Sequence, residues 1–434
     1  MNHAIPDNLL SMLSKVIADT MGLHFPRERW KDLERSFGSV AREYGFQNAE
    51  SCARWLLSSN LLRQQLDVLA SHLTVGETYF FREKNCFKLL EDQILSPLIQ
   101  SRRSADRRLR IWSAGCCTGE EPYSIAMVLR NLIPELTEWN VSLIATDINP
   151  RFLRRASEGV YGEWSFRETP AWIKEKYFKR IRNGQYELLS SVRRMVTFGY
   201  LNLVEDSYPS LLTNTNAMDI IFCRNVLMYF TPEQAKKVVK KLHRCLMDGG
   251  WLVVSPSETS QLQFSEFNTV NFPDATFYRK EQEKKQAARD FFFPVEHEAE
   301  PPEHVLYKVP DIIQTVHETF SQQTLETVNE PHAAADEHDI YAAAFMAYEH
   351  GHYAEATDKV LAELSRHPND ARLLTLLARI QANEGRLTEA LEVCHKALDA
   401  DKLSPANHFL LATILQEHGQ TERAVNSLKK VLYL

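Results

Sequence analysis

No uninterrupted apolar run in this 434-residue chain approaches the roughly 18 residues that a membrane-spanning helix needs. The chain also does not open on a basic stretch followed by an apolar core. It begins MNHAIPDNLL, and a cytoplasmic protein is expected. Positive charge is not in surplus: 50 Lys and Arg face 57 Asp and Glu, a formal net charge of -7. A duplex nucleic acid is normally met by a basic surface, so this balance argues against one as partner. Cysteine is sparse and odd in number, seven in all, with Cys116 and Cys117 adjacent. That is no disulfide framework for a chain of this length, and reduced thiols are expected. No CxxC or HExxH spacing occurs, so no metal is assigned. With only 15 glycines and 18 prolines, fibrous and wholly disordered classes are excluded as well.

What remains is an ordinary folded composition, 44% hydrophobic and 25% charged, in a chain long enough for two or three domains. Residues 1–90 read as helical, with Leu9, Leu13, Val16 and Ile17 on one apolar face and Leu33, Phe37, Val40, Ala41 and Tyr44 on another. Residues 1–110 carry 16 basic against 13 acidic side chains, a net of +3. Arg29, Lys31, Arg35 and Arg42 lie near the polar side of the second helix, as a solvated face or as a contact for an acidic helical partner.

From residue 91 to 284 the period changes. LRIWSAG (109–115), VSLIATDIN (141–149), MDIIFCRNVL (218–227) and WLVVSP (251–256) are short apolar runs separated by helical patterns. One of these patterns, PEQAKKVVKKLHRCLMDGG, ends in two glycines, and ATFYRKE (275–281) suits a final edge strand. Alternation of this kind implies an α/β fold, a mostly parallel sheet covered on both faces, with ligands at the carboxyl ends of the strands. No separate lobe is legible between 154 and 198. Residues 285–336 form an acidic, proline-containing linker; across 281–340 there are 14 acidic and four basic residues, a net of -10. In residues 337–434, Gly351, Gly385 and Gly419 are 34 apart, as are Ala344, Ala378 and Ala412, and Ala356, Ala390 and Ala424. That spacing is the period of tetratricopeptide repeats, an α-solenoid in which small residues let paired helices approach. About three repeats are expected, as a binding groove or as a purely structural cap.

Chemistry concentrates after the first strand. Gly115 and Gly119 permit a tight turn, and the helix start beyond them offers unpaired N–H groups. Neither GxGxxG nor GxxxxGK[ST] is present, which argues against a standard dinucleotide fingerprint and a P-loop. Asp147 ends the second strand, where a carboxylate can accept hydrogen bonds from a ribose. A dehydrogenase would share that carboxylate.

Several ordered segments decide between these readings: TYFFRE (78–83), IWSAGCCTGEEPYSIAM (111–127), ATDIN (145–149), GYLNL (199–203) and IIFCRNVLMYF (220–230). Through them, residues 10–281 resemble the chemotaxis receptor glutamate methyltransferase (CheR-type) family. The resemblance implies a Rossmann-like class I methyltransferase sheet, an all-helical N-terminal substrate-recognition domain, and S-adenosyl-L-methionine as cofactor, with S-adenosyl-L-homocysteine as product. It implies that Thr78 and Arg82 reach over the methionine end of the cofactor and line the substrate entrance. Ala114 and Glu120 resemble first-loop contacts, Glu120 toward the methionyl ammonium. Asp147 resembles the ribose ligand, and Asn202 and Leu203 the pair flanking the adenine. Arg224, Asn225 and Tyr229 resemble the cluster beside the sulfonium. Arg82, Arg224 and Tyr229 are the candidate catalytic residues.

The implied partners are the cytoplasmic helices of a methyl-accepting chemotaxis-type receptor, with a further receptor segment or signalling protein on the repeats, as in methyltransferases of surface-sensing, chemotaxis-like pathways. Gly76 departs from the Asn common at its position, and Cys116–Cys117 from a segment that commonly contains Ser. A catalytically weak S-adenosylmethionine-binding sensor or scaffold and a small-molecule carboxyl methyltransferase are the alternatives.

Overall fold

The computed structural model describes residues 5–281 and 340–433, apart from residues 59, 105, 106, 211, 212, 261, 262, 274, 350 and 351. The linker expected at 285–336 and Gly351 lie outside the described residues. Contacts divide the chain into two compact units, one running to Glu281 without residues 210–212, the other containing the C-terminal helices.

In the first unit, helices α1 (Asp7–Met21), α2 (Trp30–Glu43), α3 (Ala49–Leu56) and α4 (Arg63–Leu73) close on Leu9, Leu13, Ile17, Leu33, Phe37 and Val40. Val16 and Tyr44, expected on the same faces, are half-buried at the margin. Asn48 starts α3 by accepting a hydrogen bond from the Ser51 N–H at 2.8 Å, satisfying one of the donors a helix start leaves free. Helices α5 (Lys84–Leu89) and α6 (Ser96–Arg102) lead into the sheet.

The sheet and its cover comprise β1 (Arg108–Ala114), α7 (Glu120–Leu132), β2 (Asn140–Asp147), α8 (Pro150–Glu158), β3 (Val160–Tyr161), α9 (Ala171–Tyr177), β4 (Phe178–Arg180), β5 (Tyr186–Leu188), α10 (Ser190–Arg193), β6 (Val196–Tyr200), β7 (Met218–Phe222), α11 (Pro232–Cys245), β8 (Leu246–Val253), β9 (Asn268–Phe272) and β10 (Ala275–Arg279). Seven strands run in the order β6-β2-β1-β7-β8-β10-β9. The first five pair in parallel, while β10 is antiparallel to β8 and β9. This is the class I methyltransferase sheet. All seven residues of β1 are buried, as expected of a central strand covered on both faces.

Three details differ from the sequence reading. ATFYR is not the edge: β10 lies between β8 and β9, and the edge is β9, whose half-exposed NTVNF carries no clear alternation. The glycines after α11 do not end that helix, which stops at Cys245. They lie inside β8, where the register jumps from Met218↔Leu246 to Ile220↔Trp251. Gly250 is required at this bulge because a Cβ there would fall 2.8 Å from the Met247 carbonyl oxygen. Thirdly, β3, β5 and β4 form a separate three-stranded antiparallel sheet. With two or three residues each, its strands are too short for a period to register. Phe80, Tyr161, Phe166 and Phe178 pack together against it, with Phe80 and Phe166 stacked at 5.1 Å.

The second unit contains the helix pairs Ile340–Glu349 with Tyr353–Leu364, Ala371–Asn383 with Leu387–Ala400, and Pro405–Glu417 with Thr421–Tyr433. Ala344, Ala378, Ala356 and Ala390 are fully buried, and Ala412 and Ala424 at most 2% exposed, so the 34-residue coincidences mark helix contacts. Ala378→Leu is therefore expected to destabilise this unit by about 1–3 kcal/mol through overpacking. A thermal melt of the full chain checks this, and an unchanged C-terminal transition would mean that the site tolerates a large side chain. Among the described residues no helix is long and apolar enough to cross a membrane.

Candidate functional site

β1 and β2 run side by side and end together, which brings the turn after Ala114 beside Asp147. Gly115 takes φ 82°, and a Cβ on it would lie 2.4 Å from Val226 Cγ2, so only glycine lets the turn pass beneath the loop after β7. Cys117, also left-handed at φ 50°, points its N–H at Asp147 Oδ2 at 2.8 Å. The Asn149 N–H donates to Asp147 Oδ1 at 2.8 Å. Burial dominates these hydrogen bonds and pushes the Asp147 carboxyl up to about 6.

These strand ends open into a cavity of about 440 Å³, within the roughly 300–1,000 Å³ usual for small-molecule sites. Of the residues singled out from the sequence, Thr78, Arg82, Asp147, Asn202, Leu203, Arg224, Asn225 and Tyr229 line it, from four separate stretches of chain. Ala114 and Glu120 are not among its lining residues. Ala114 is buried at the end of β1, and the Glu120 carboxylate turns away to accept hydrogen bonds from Thr118 Oγ1 (2.6 Å) and Ser165 Oγ (2.9 Å). Its neighbour Glu121 lines the cavity instead. Burial raises the pKa of both carboxyls, and Arg224 works against that rise at Glu121.

Arg224 lines the cavity but is almost wholly buried by protein. Its side chain is 1% exposed, with Nη1 3.0 Å from Glu121 Oε2 and Nη2 2.8 Å from Glu83 Oε2. Nη2 also donates to the Arg82 carbonyl at 2.8 Å. Glu83 itself is left-handed at φ 62°, so Arg224 fastens the strained end of the Thr78–Glu83 segment to α7. Arg82 is freer: its Nη1 donates to the Glu77 carbonyl at 2.7 Å, and the residue lines the cavity. Burial raises the Tyr229 phenol, the charges of Arg29 and Arg82 work against that rise, and the Glu258 charge adds to it.

The N-terminal helices supply a wall that no motif announced. Met21, Leu23, His24, Phe25 and Arg29 all line the cavity. The His24 N–H donates to the Tyr229 carbonyl at 2.7 Å, and Asn202 Nδ2 donates to the Thr20 carbonyl at 2.8 Å. A lone run such as MGLHF has no distinguishing composition, and only its position against the loop after β7 marks it.

The family described as "CheR methyltransferase, SAM binding domain" matches residues 76–275. A chemotaxis protein methyltransferase of Borreliella burgdorferi is 31% identical over 261 residues, covering 60% of this chain and 90% of that one. Chemotaxis protein methyltransferase 2 of Vibrio cholerae is 34% identical over 222 residues, covering 51% and 75%. The probable biofilm formation methyltransferase WspC of Pseudomonas aeruginosa is 35% identical over 225 residues, covering 52% of this chain and 51% of its own. With a relative matched over nine-tenths of its length and a cavity at the strand ends where that family's cofactor domain lies, this chain belongs to the CheR family of S-adenosylmethionine-dependent chemotaxis methyltransferases.

Proposed function

We propose that the chain transfers a methyl group from S-adenosylmethionine to glutamate side chains of a chemoreceptor-type protein, giving the methyl ester. The observation that carries this reading is the single cavity that combines a buried strand-end carboxylate, Asp147, with Arg82 and Tyr229. When bound, the cofactor supplies an electrophilic methyl group. A glutamate acceptor is already ionised at neutral pH, with an ordinary pKa of about 4.3, so no general base is needed. The protein's task is placement in a site with little water.

In this reading Asp147 accepts from the ribose hydroxyls, and Asn202 and Leu203 wall the adenine. Glu121, rather than Glu120, presents an acidic group to the cavity, and Thr78 and Asn225 flank the methionine end. Arg82 orients the incoming carboxylate through its fixed fork of donors, beside Tyr229. Arg224 braces Arg82 from behind. The helix pairs of the second unit serve as a docking module for the receptor or another signalling protein.

Incubation of the full chain with labelled S-adenosylmethionine and the cytoplasmic fragment of a candidate receptor tests the reading. Base-labile label that disappears on Glu-to-Ala change in the receptor is expected. Cofactor binding with no transfer to any receptor fragment would favour a sensor or scaffold. Arg82→Ala is expected to lower turnover roughly ten- to a hundredfold, the value of one or two charge-assisted hydrogen bonds. Calorimetric affinity for S-adenosylhomocysteine should stay within about threefold, because Arg82 then acts on the acceptor. Undiminished turnover in that variant removes the assigned role.

A further inference from the structure

Glu258 does not line the cavity, and no motif singled it out. It ends the short turn Pro256–Glu258 after β8 and is 6% exposed. Its carboxylate nevertheless gathers the backbone of the loop after β7. Oε2 accepts from the Asn225 N–H at 2.7 Å, and Oε1 from the N–H groups of Val226 (2.7 Å) and Met228 (3.2 Å). Ser255 adds its own N–H at 3.1 Å and its Oγ at 2.6 Å, both to Oε2.

That loop needs such an anchor. Asn225 is left-handed at φ 58°, a conformation that asparagine adopts more readily than most residues and that turns the chain sharply here. Three of the loop's N–H groups converge on that one carboxylate, a part-buried point at which the backbone of the whole turn is tied down. The same turn carries Asn225 and Tyr229 into the cavity and sets Val226 against Gly115. A displacement here would therefore move two lining residues and the floor beneath them together.

We propose that Glu258 is a positioning residue for methyl transfer: its carboxylate fixes the Asn225–Tyr229 turn so that Asn225 and Tyr229 meet the methionine end of the cofactor. The inference rests on the assignment of the cavity to S-adenosylmethionine. Glutamine at 258 keeps the size but sets an NH2 group against N–H donors, and aspartate keeps the charge but is one methylene too short to reach both sides of the turn.

The test is calorimetric titration of S-adenosylhomocysteine into the full chain, wild type against Glu258→Gln, Glu258→Asp, Asn225→Ala and the Glu258→Gln/Asn225→Ala double variant. Val238→Ala, which removes buried volume from α11 at a residue that does not itself line the cavity, serves as the stability control. All titrations are run well below the melting temperature of each protein. Glu258→Gln is expected to weaken binding roughly tenfold, the scale of a lost charged hydrogen bond, and Glu258→Asp less. In the double variant the losses should not add, because Asn225 is already displaced. The Val238 control should bind as wild type does. Additive losses, or Glu258→Gln binding as tightly as wild type, would falsify the positioning role alone. Failure of the wild type to bind S-adenosylhomocysteine would overturn it together with the cavity assignment.

Discussion

Asp147→Ala weakens S-adenosylhomocysteine binding by at least about a hundredfold on the present reading, since two charge-assisted hydrogen bonds at about 1.5–3 kcal/mol each disappear. The same carboxyl imposes a pH dependence whose sign can be worked out. It lies at about 6, above its ordinary 3.8, because burial disfavours the charged form and the N–H groups of Asn149 and Cys117 offset only part of that. On the proposed reading the ribose hydroxyls donate to the ionised form. Affinity is therefore level above about pH 6, and on this account it falls by about tenfold per unit below it, as the site must first release a proton. Calorimetry at pH 5, 6, 7 and 8 checks both limbs. In Asp147→Ala the residual affinity should lose that acid limb, and a variant that keeps it would assign the titration to another group.

The second large effect belongs to Arg224, and it separates two roles. Arg224→Met removes the counter-charge from Glu83 and Glu121, whose side chains are only 28% and 14% exposed. Breaking a buried pair of this kind costs about 3–5 kcal/mol, a fall in Tm of about 10 °C for a unit of this size. The loss should narrow on acidification. Burial already holds the Glu121 carboxyl above its usual range, and without Arg224 it rises further, so lowering the pH lets it take up a proton and relieves the unpaired charge. Because Arg224 also holds the Arg82 carbonyl, cofactor affinity and turnover should fall with stability, in contrast to the selective loss in Arg82→Ala. An Arg224→Met protein with unchanged Tm and only slower turnover would instead give Arg224 a direct part in the reaction, as expected of a candidate catalytic residue.

How far the sequence alone reached can be argued residue by residue. Asp147 and Gly115 were legible because continuous apolar strands end at them, and the ends of parallel neighbours must lie side by side. The alanines of the repeats were legible because their spacing is periodic. Which of Glu120 and Glu121 lines the cavity was not. Both begin α7, and about 100° of helical rotation sends one toward Thr118 and Ser165 and the other toward Ser113 and Arg224. That phase is set by Gly119 at φ 94°, which no propensity states. The small sheet escaped detection because two- and three-residue strands have no period, and β10 took an interior place because strand order follows from pairing rather than from composition. Met21 to Arg29 could not be identified as cavity wall because their partners lie in another part of the chain.

That last separation bears on synthesis. The end of α1 is secured by Asn202, 182 residues downstream of Thr20, and by Gln234, 216 residues beyond Ala18. Gly22 fits beneath the Phe230 ring so closely that an added Cβ would lie 2.4 Å from it. This helix thus leaves the ribosome at least 182 residues ahead of the groups that secure its terminus. Closing so long a loop comes late in folding, so a nascent chain arrested before residue 230 would carry helices without a finished pocket.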